Sequence, residues 1–438
     1  MIAIGTAAAE RGRIQGVGAR LMERGWEWTK RLSGVGGAQI IAQGLGFVSG
    51  ILIVRMLAPQ QYALYTLANT MLGTMKVLAD SGISSGMLSE GGKVWQNRRD
   101  LGAVIVTGMA MRRRFAIWSM VVSVPVLLYL LRSHGDSWIG ALVMLGAVAA
   151  YFWALLDWDI FGIAPSLHQR VAAMQRIGVV QSLGRLLGLV AMLAAVPWAV
   201  VAIAVAALPQ FWASKRLQVM SFEVADLRQV ENAGVRIGVT RVVRRVLPAA
   251  IYFCLSSQIT IWLVSVLGST LALAKLGALS RLGQIFTVFS AIAAAVIVPR
   301  FARLRSDRGL VLRRYFQVLA LLAISGAAIT AVFAVRPREI LWLLGPEYAD
   351  LVHEVVLLVI GSAMNLLAGT AYLLGNARGH VTQPVISISL QVLCQIWLIS
   401  RLDVSTLDGV LWFGIWMPAF QLLVYSVSLF HQTRRAAP

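Results

Sequence analysis

The sequence is poor in charge and poorer still in acids. Of its 438 residues only 13% are Asp, Glu, Lys or Arg, and 19 acids stand against 39 bases. Soluble domains carry about 25% charged residues. A chain that is 58% hydrophobic, with mean hydropathy +0.75, has more apolar side chains than a soluble interior can hide. Only two cysteines occur, Cys254 and Cys394, both inside apolar runs. That excludes a disulfide scaffold and marks them as buried structural thiols. The five histidines (His134, His168, His353, His380 and His431) keep no metal-ligand spacing. No Walker A pattern and no Gly-x-Ser-x-Gly is present. Asp157 and Asp159 form the Asp-x-Asp familiar from metal-dependent glycosyl transfer, but here the pair closes an apolar run. The expectation is therefore an integral membrane protein that is not an enzyme and needs no metal or cofactor.

What the chain has is hydrophobic length. A spanning helix takes about 20 mostly apolar residues, and about twelve such runs can be placed. They lie near 34–56, 63–85, 114–131, 137–156, 177–195, 197–214, 247–267, 271–297, 315–335, 351–374, 384–400 and 409–430. The short apolar stretch 100–111, followed by Arg112, Arg113 and Arg114, reads as an interfacial helix. Residues 1–33 carry Arg11, Arg13, Arg20, Arg24, Lys30 and Arg31 without an apolar core. They read as a basic amphipathic lead-in on the membrane surface, not a cleavable signal.

With the N-terminus placed inside, 30 of the 39 Lys and Arg fall on the cytoplasmic side and five on the other. Orientation accounts for this excess, so the net charge of +20 does not point to nucleic acid. The split predicts cytoplasmic termini, with a tail at 431–438. Residues 215–246 form the longest polar connection, with six runs before it (34–214) and six after it (247–430). The expected fold is an all-α polytopic membrane protein, two pseudo-symmetric six-helix bundles around a central cavity, a common transporter layout.

Charged groups inside a span are expensive and usually face a wet cavity or a partner. Four cations qualify: Lys76, Arg185, Lys275 and Arg281; Asp80 is the one acid well inside a span. Asn69, Gly73, Lys76 and Asp80 follow i, i+4, i+7, i+11 and share a helix face. That stripe either lines a cavity or neutralises itself through a Lys76–Asp80 pair. Arg281, with Gln284 one turn on, has no acid in its own span, and a guanidinium suits bidentate phosphate binding. Lys275 either joins it or snorkels to the outer surface. Arg185 is expected to pair with Asp157 or Asp159. Gln39, Gln43, Gly46 and Gly50 form a polar and small-residue face on the first span, suited to a cavity wall or to close helix packing. Gln391 and Gln395 repeat that pattern more weakly.

Several motifs carry a resemblance. Residues 52–66 read Leu-Ile-Val-Arg-Met-Leu-Ala-Pro-Gln-Gln-Tyr-Ala-Leu-Tyr-Thr, and 78–82 read Leu-Ala-Asp-Ser-Gly. Residues 299–303 are Pro-Arg-Phe-Ala-Arg, and 344–348 are Leu-Gly-Pro-Glu-Tyr. Together they resemble the polysaccharide (O-antigen, Wzx-type) flippases of the multidrug/oligosaccharidyl-lipid/polysaccharide exporter superfamily, with Ala58 and Ala63 where that family usually has glycine. The resemblance runs from about residue 34 to 430. It implies a V-shaped cavity opening alternately to each side of a bacterial inner membrane. The implied substrate is an isoprenoid-pyrophosphate-linked oligosaccharide, a repeat unit of lipopolysaccharide or exopolysaccharide. The implied partners are that lipid-linked substrate, membrane lipids and the polysaccharide assembly machinery. On this reading Lys76, Arg281, Lys275, Asn69, Gln39, Gln43 and Gln284 line the cavity, and Asp80 is the candidate for ion coupling. A cation-coupled multidrug antiporter of the same superfamily is the second reading, although four intramembrane cations against one acid weigh against it. A membrane glycosyltransferase, ligase or polymerase is the third, and the short outer loops leave it little room.

Overall fold

The computed structural model of the protein describes residues 37–304, 308–378 and 384–435. The expected lead-in at 1–33 and the last three residues of the expected tail lie outside them. Every regular element among the described residues is helical. The first bundle contains α1 (Gly37–Met56), α2 (Pro59–Asp80), α3 (Ile83–Val94), α4 (Arg98–Ser133), α5 (Trp138–Phe161), α6 (Ile163–Leu167), α7 (Val171–Ala195) and α8 (Ala199–Val224). The second begins with α9 (Ala233–Ser257), α10 (Ile259–Leu267), α11 (Thr270–Gly283) and α12 (Ile285–Ile292). A π-helical turn, Ala293–Ile297, leads to α13 (Val298–Ala302). The bundle ends with α14 (Arg308–Val335), α15 (Pro337–Leu341), α16 (Val352–Ala377), α17 (Pro384–Arg401) and α18 (Leu407–Arg435).

The described residues form twelve rods, of which at most nine have the length and hydropathy of a membrane span. Seven helices are long and apolar enough to cross a membrane unaided. Two more are broken rods: α9–α10 bends by 51° and α11–α12 by 40°. Three others, α2, α8 and α17, fall short by hydropathy or length. In α2 the polar stripe dilutes the run, in α8 the charged end does, and in α17 the apolar part is only Ile386–Arg401.

Local chemistry sets the boundaries. Pro59 starts α2, its fixed φ and missing N–H suiting the first turn. Ser81 and Gly82, both with positive φ, separate α2 from α3. A Cβ on Gly82 would also sit 2.9 Å from Val246 on α9, so both backbone and packing demand glycine. Side-chain oxygens of Asn97, Ser137, Asn232 and Ser269 cap the first turns of α4, α5, α9 and α11.

Two expectations need correction at the end where the Arg- and Lys-rich connections gather, here termed the basic end. Residues 100–111 are not a separate helix leading into the third span. They are the first part of α4, a single 36-residue helix, about 54 Å long at 1.5 Å per residue. Leu101, Val104, Ile105 and Met111 pack there with Ile83 and Met87 of α3, Ile163 of α6 and Val239 of α9 into a second core. Likewise 215–246 is mostly helix, because α8 continues to Val224 and α9 begins at Ala233. Only 225–232 is irregular, and it is pinned to α4: Asp226 N–H donates to Arg98 O (2.9 Å) and Asn232 N–H to Thr107 Oγ1 (2.9 Å).

The bundles meet in two places. At the basic end α3 packs on α9, with Gly86 against the Val239 backbone. Toward the opposite end α2 packs on α11. A Cβ on Gly277 would lie 2.5 Å from Thr66 Oγ1, so this approach exists only because Gly277 has no side chain.

Candidate functional site

The α2 stripe is the natural place to begin. Much of α2 is buried, including Tyr62, Tyr65, Met71 and Met75. From Tyr62 to Met75 only Asn69 and Gly73 are not, and the opening continues through Lys76 to Asp80. Asn69 makes no side-chain hydrogen bond to a described residue, and such an amide is tolerated only where water reaches it. The stripe is the half-buried face of this helix. Opposite it, Gln258, at the break between α9 and α10, brings its Nε2 to 3.8 Å from where a Cβ on Gly73 would sit.

At the α2–α11 contact, Arg281 crosses from the second bundle to the first. Its Nε donates to Tyr62 Oη (3.2 Å), and the same hydroxyl donates to Gly277 O (3.0 Å). Its guanidinium lies over the Tyr65 ring, 5.7 Å from the centroid. Gly50 of α1 makes room for it: a Cβ there would meet Arg281 Cδ at 3.1 Å. From the other side Arg185 of α7 reaches the same tyrosine, Nη2 donating to Tyr65 Oη at 3.4 Å, while its Nε is buried without a partner. The expected Arg185 pairing with Asp157 or Asp159 does not form, because Asp159 is taken by other cations. Among the described residues no carboxylate lies within 4.0 Å of Arg281 or Arg185. Two guanidiniums thus converge on one tyrosine, one over its ring and one at its hydroxyl, without a carboxylate partner among the described residues.

About 16 Å further along α2 the charges are arranged differently. Arg112 of α4 is fully buried at 1% exposure, and its Nη2 donates to Asp159 Oδ2 at 2.8 Å. Its Nη1 lies 3.6 Å from Asp80 Oδ1. Lys76 Nζ stands 3.2 Å from the same Asp159 oxygen. Ser84 completes the cluster, its hydroxyl bonding Asp80 and accepting from Arg112 Nη1 at 3.3 Å. Two acids face two bases and the group is neutral. The Lys76–Asp80 pair conceived within one helix is thus replaced by partners from α4 and α5. Asp80 is not a free carboxylate.

The remaining sequence candidates scatter. Lys275 does not join Arg281: its Nζ binds the exposed Asp350 Oδ2 at 2.6 Å, near the end opposite the basic one. Gln284 sits at the α11–α12 break, three residues beyond Arg281. Gln39 is exposed and Gln43 half-buried, toward the basic end of α1. They share a helix face with Gly50, which touches Arg281, so that face looks between the bundles. At the opposite end Arg55 of α1 bonds the Trp342 carbonyl and stacks on its ring at 4.5 Å. Sequence reasoning did not single out Tyr62, Tyr65 or Gln258. For the tyrosines the available signal was their i, i+3 spacing beside the polar stripe.

No known family profile matches the sequence, and no curated protein matches it as a relative. Solved structures do share its fold. The lipid II flippase MurJ in an inward closed conformation superposes over 91% of this chain and 87% of its own, with TM-score 0.70 and 10% identity. An inward-facing multidrug resistance MATE family transporter of the MOP superfamily matches over 90% of this chain and 96% of its own, with TM-score 0.68 and 11% identity. A MOP superfamily transporter from Pyrococcus furiosus, described as having a binding pocket of reverse polarity, matches over 92% and 93%, with TM-score 0.60 and 11% identity. This chain thus has the two-bundle, multi-pass membrane fold of the MOP-superfamily transporters.

Proposed function

We propose that the protein is a flippase for an isoprenoid-pyrophosphate-linked oligosaccharide. On this reading it carries polysaccharide repeat units from the cytoplasmic to the periplasmic leaflet of a bacterial inner membrane, with both termini cytoplasmic. The observation that carries the reading is the convergence of Arg281 and Arg185 on Tyr65 without a carboxylate partner. A phosphate-bearing headgroup cannot cross about 30 Å of hydrocarbon alone. Unpaired guanidiniums in a wet inter-bundle space give it partners, while the isoprenoid chain stays in the bilayer. Alternating access then requires that the two arrangements of the bundles bind the headgroup differently. The Tyr62–Gly277–Arg281 contact supplies such a difference, because parting α2 from α11 separates Arg281 from Tyr62.

The antiporter reading is weaker. A carrier of organic cations wants a carboxylate available to its cargo, and Asp80 and Asp159 are already held by Arg112 and Lys76. The glycosyltransferase reading has the least support, since the solved structures sharing this fold are transporters and flippases.

The test is deletion in the host, following surface polysaccharide together with the sidedness of the lipid-linked intermediate. Loss of glycan with the intermediate retained in the cytoplasmic leaflet is expected. Normal glycan and sidedness, with altered tolerance of cationic compounds, would overturn the proposal in favour of the antiporter.

A further inference from the structure

The half-buried face of α2 has a counterpart in the second bundle. Asn365, Gly369, Tyr372 and Asn376 on α16 repeat the spacing of Asn69, Gly73, Lys76 and Asp80, and each glycine is followed by threonine, Thr74 or Thr370. The chemistry differs at two places: Lys76 becomes Tyr372 and Asp80 becomes Asn376. The second stripe is uncharged throughout.

It also opens to space. Asn365 is exposed, Tyr372 is 44% exposed, and nothing lies within 4 Å of a Cβ built on Gly369. Neither the Asn365 amide nor the Tyr372 hydroxyl has a hydrogen bond to a described residue. Facing hydrocarbon, both would be stranded polar groups, so this face is wet. Asn365 further lines a cavity of about 100 Å³ between α12 and α16, with Thr287, Ser290 and Ser362. Thr287 is six residues past Arg281, so this polar surface begins about 9 Å along the chain from the anion site.

Behind Tyr372 stands a neutral hydrogen-bonded frame. Tyr372 packs on Tyr425 of α18, ring centroids 5.3 Å apart. The buried Gln391 amide receives Tyr252 Oη–H (3.0 Å) and Gln421 Nε2–H (2.9 Å), and donates to Ser387 Oγ (2.8 Å). Such a frame fixes the rotamers of the residues it carries.

We propose that this α16 face is the subsite for the sugar moiety of the substrate, distinct from the guanidinium pair that takes the phosphate. The inference rests on the flippase reading and deepens it. A sugar ring offers hydroxyls on its rim and C–H bonds on its faces. An unpartnered amide and an exposed, braced tyrosine ring match both, without charges that a neutral glycan cannot satisfy.

The experiment uses the full chain in lipid nanodiscs and two probes: farnesyl pyrophosphate, which has no sugar, and the lipid-linked oligosaccharide fraction extracted from the host. Tyr372→Ala and Asn365→Leu are expected to weaken glycolipid binding about tenfold each, the loss of about one good contact, and to leave farnesyl pyrophosphate binding within about twofold. Arg281→Ala is expected to weaken both probes. Leu373→Ala, an exposed neighbour off the stripe, controls for disturbance of α16, and thermal unfolding of each variant controls for folding. If both stripe variants bind the glycolipid like the parent while Arg281→Ala loses it, the sugar subsite is wrong and the phosphate site stands. Equal loss of both probes in the stripe variants also overturns the subsite. If only the stripe variants lose glycolipid and Arg281→Ala changes neither probe, the sugar subsite stands and the flippase reading loses its anion site.

Discussion

Two charged regions on one helix behave in opposite ways. Around Lys76, α2 joins a closed network in which Arg112, Asp159, Asp80 and Lys76 cancel one another. Around Tyr65, the same helix meets Arg281 and Arg185, which cancel nothing. Both arrangements are costly to place in a membrane, but the costs differ in kind. A neutral network balances its charges within the protein, though Arg112 Nε has no hydrogen-bond partner among the described residues, and it links α2, α4 and α5. The guanidinium pair has no carboxylate partner among the described residues, and on the proposed reading it is left for the substrate headgroup.

The sharpest way to break the paired region is Arg112→Leu, which strands Asp80 and Asp159 without their shared cation. Breaking a buried pair costs about 3–5 kcal/mol. Because both acids keep partial contact with solvent, a loss of about 3 kcal/mol is expected, measured as a lowered unfolding temperature in detergent. Adding Asp159→Asn should recover part of it. Second in size is Gly277→Ala. Its new methyl would collide with Thr66, and overpacking costs about 1–3 kcal/mol. The effect should appear as a longer spin-label distance between α2 and α11, with each bundle intact. Lys76→Gln comes next: Asp159 retains Arg112 and Lys76 is 39% exposed, so a stability change of about 1 kcal/mol or less is expected, seen in the same unfolding assay. The smallest effect belongs to Lys275→Met. Its partner Asp350 is 63% exposed, and an exposed pair contributes about 0–1 kcal/mol, so stability and glycan output should both stay near the parental level.

Much of this contrast was hidden in the sequence, for identifiable reasons. Span positions were legible because most rods are long and apolar; the broken rod α11–α12 matches the run 271–297, while α9 begins at Ala233, well before the run at 247–267. The polar stripe on α2 was legible because Asn69, Gly73, Lys76 and Asp80 repeat with the helix period. Partners were not, since they come from other helices. Arg112 follows an apolar stretch beside Arg113 and Arg114 and looks like a loop cation, yet it is the most deeply buried charge among the described residues. Arg185 looked paired because two acids close the preceding span, but its side chain reaches Tyr65 instead, and Asp159 binds Arg112 and Lys76. Tyr62 and Tyr65 carry no charge and sit in an apolar run, so only the approach permitted by Gly277 shows their role. The second core at the basic end was invisible because α3 and the apolar stretch 100–111 are each too short to register as spans, and their partners come from other helices.

The most direct test of the contrast compares Arg281→Ala with Lys76→Gln, expressed at equal level in the host, by the sidedness of the lipid-linked oligosaccharide. If unpaired cations hold the headgroup, Arg281→Ala slows translocation by about ten- to a hundredfold, the effect of about one charge-assisted bond, and the intermediate accumulates in the cytoplasmic leaflet, while Lys76→Gln stays near the parent. Equal rates for Arg281→Ala and the parent, or a larger defect from Lys76→Gln, would contradict the account.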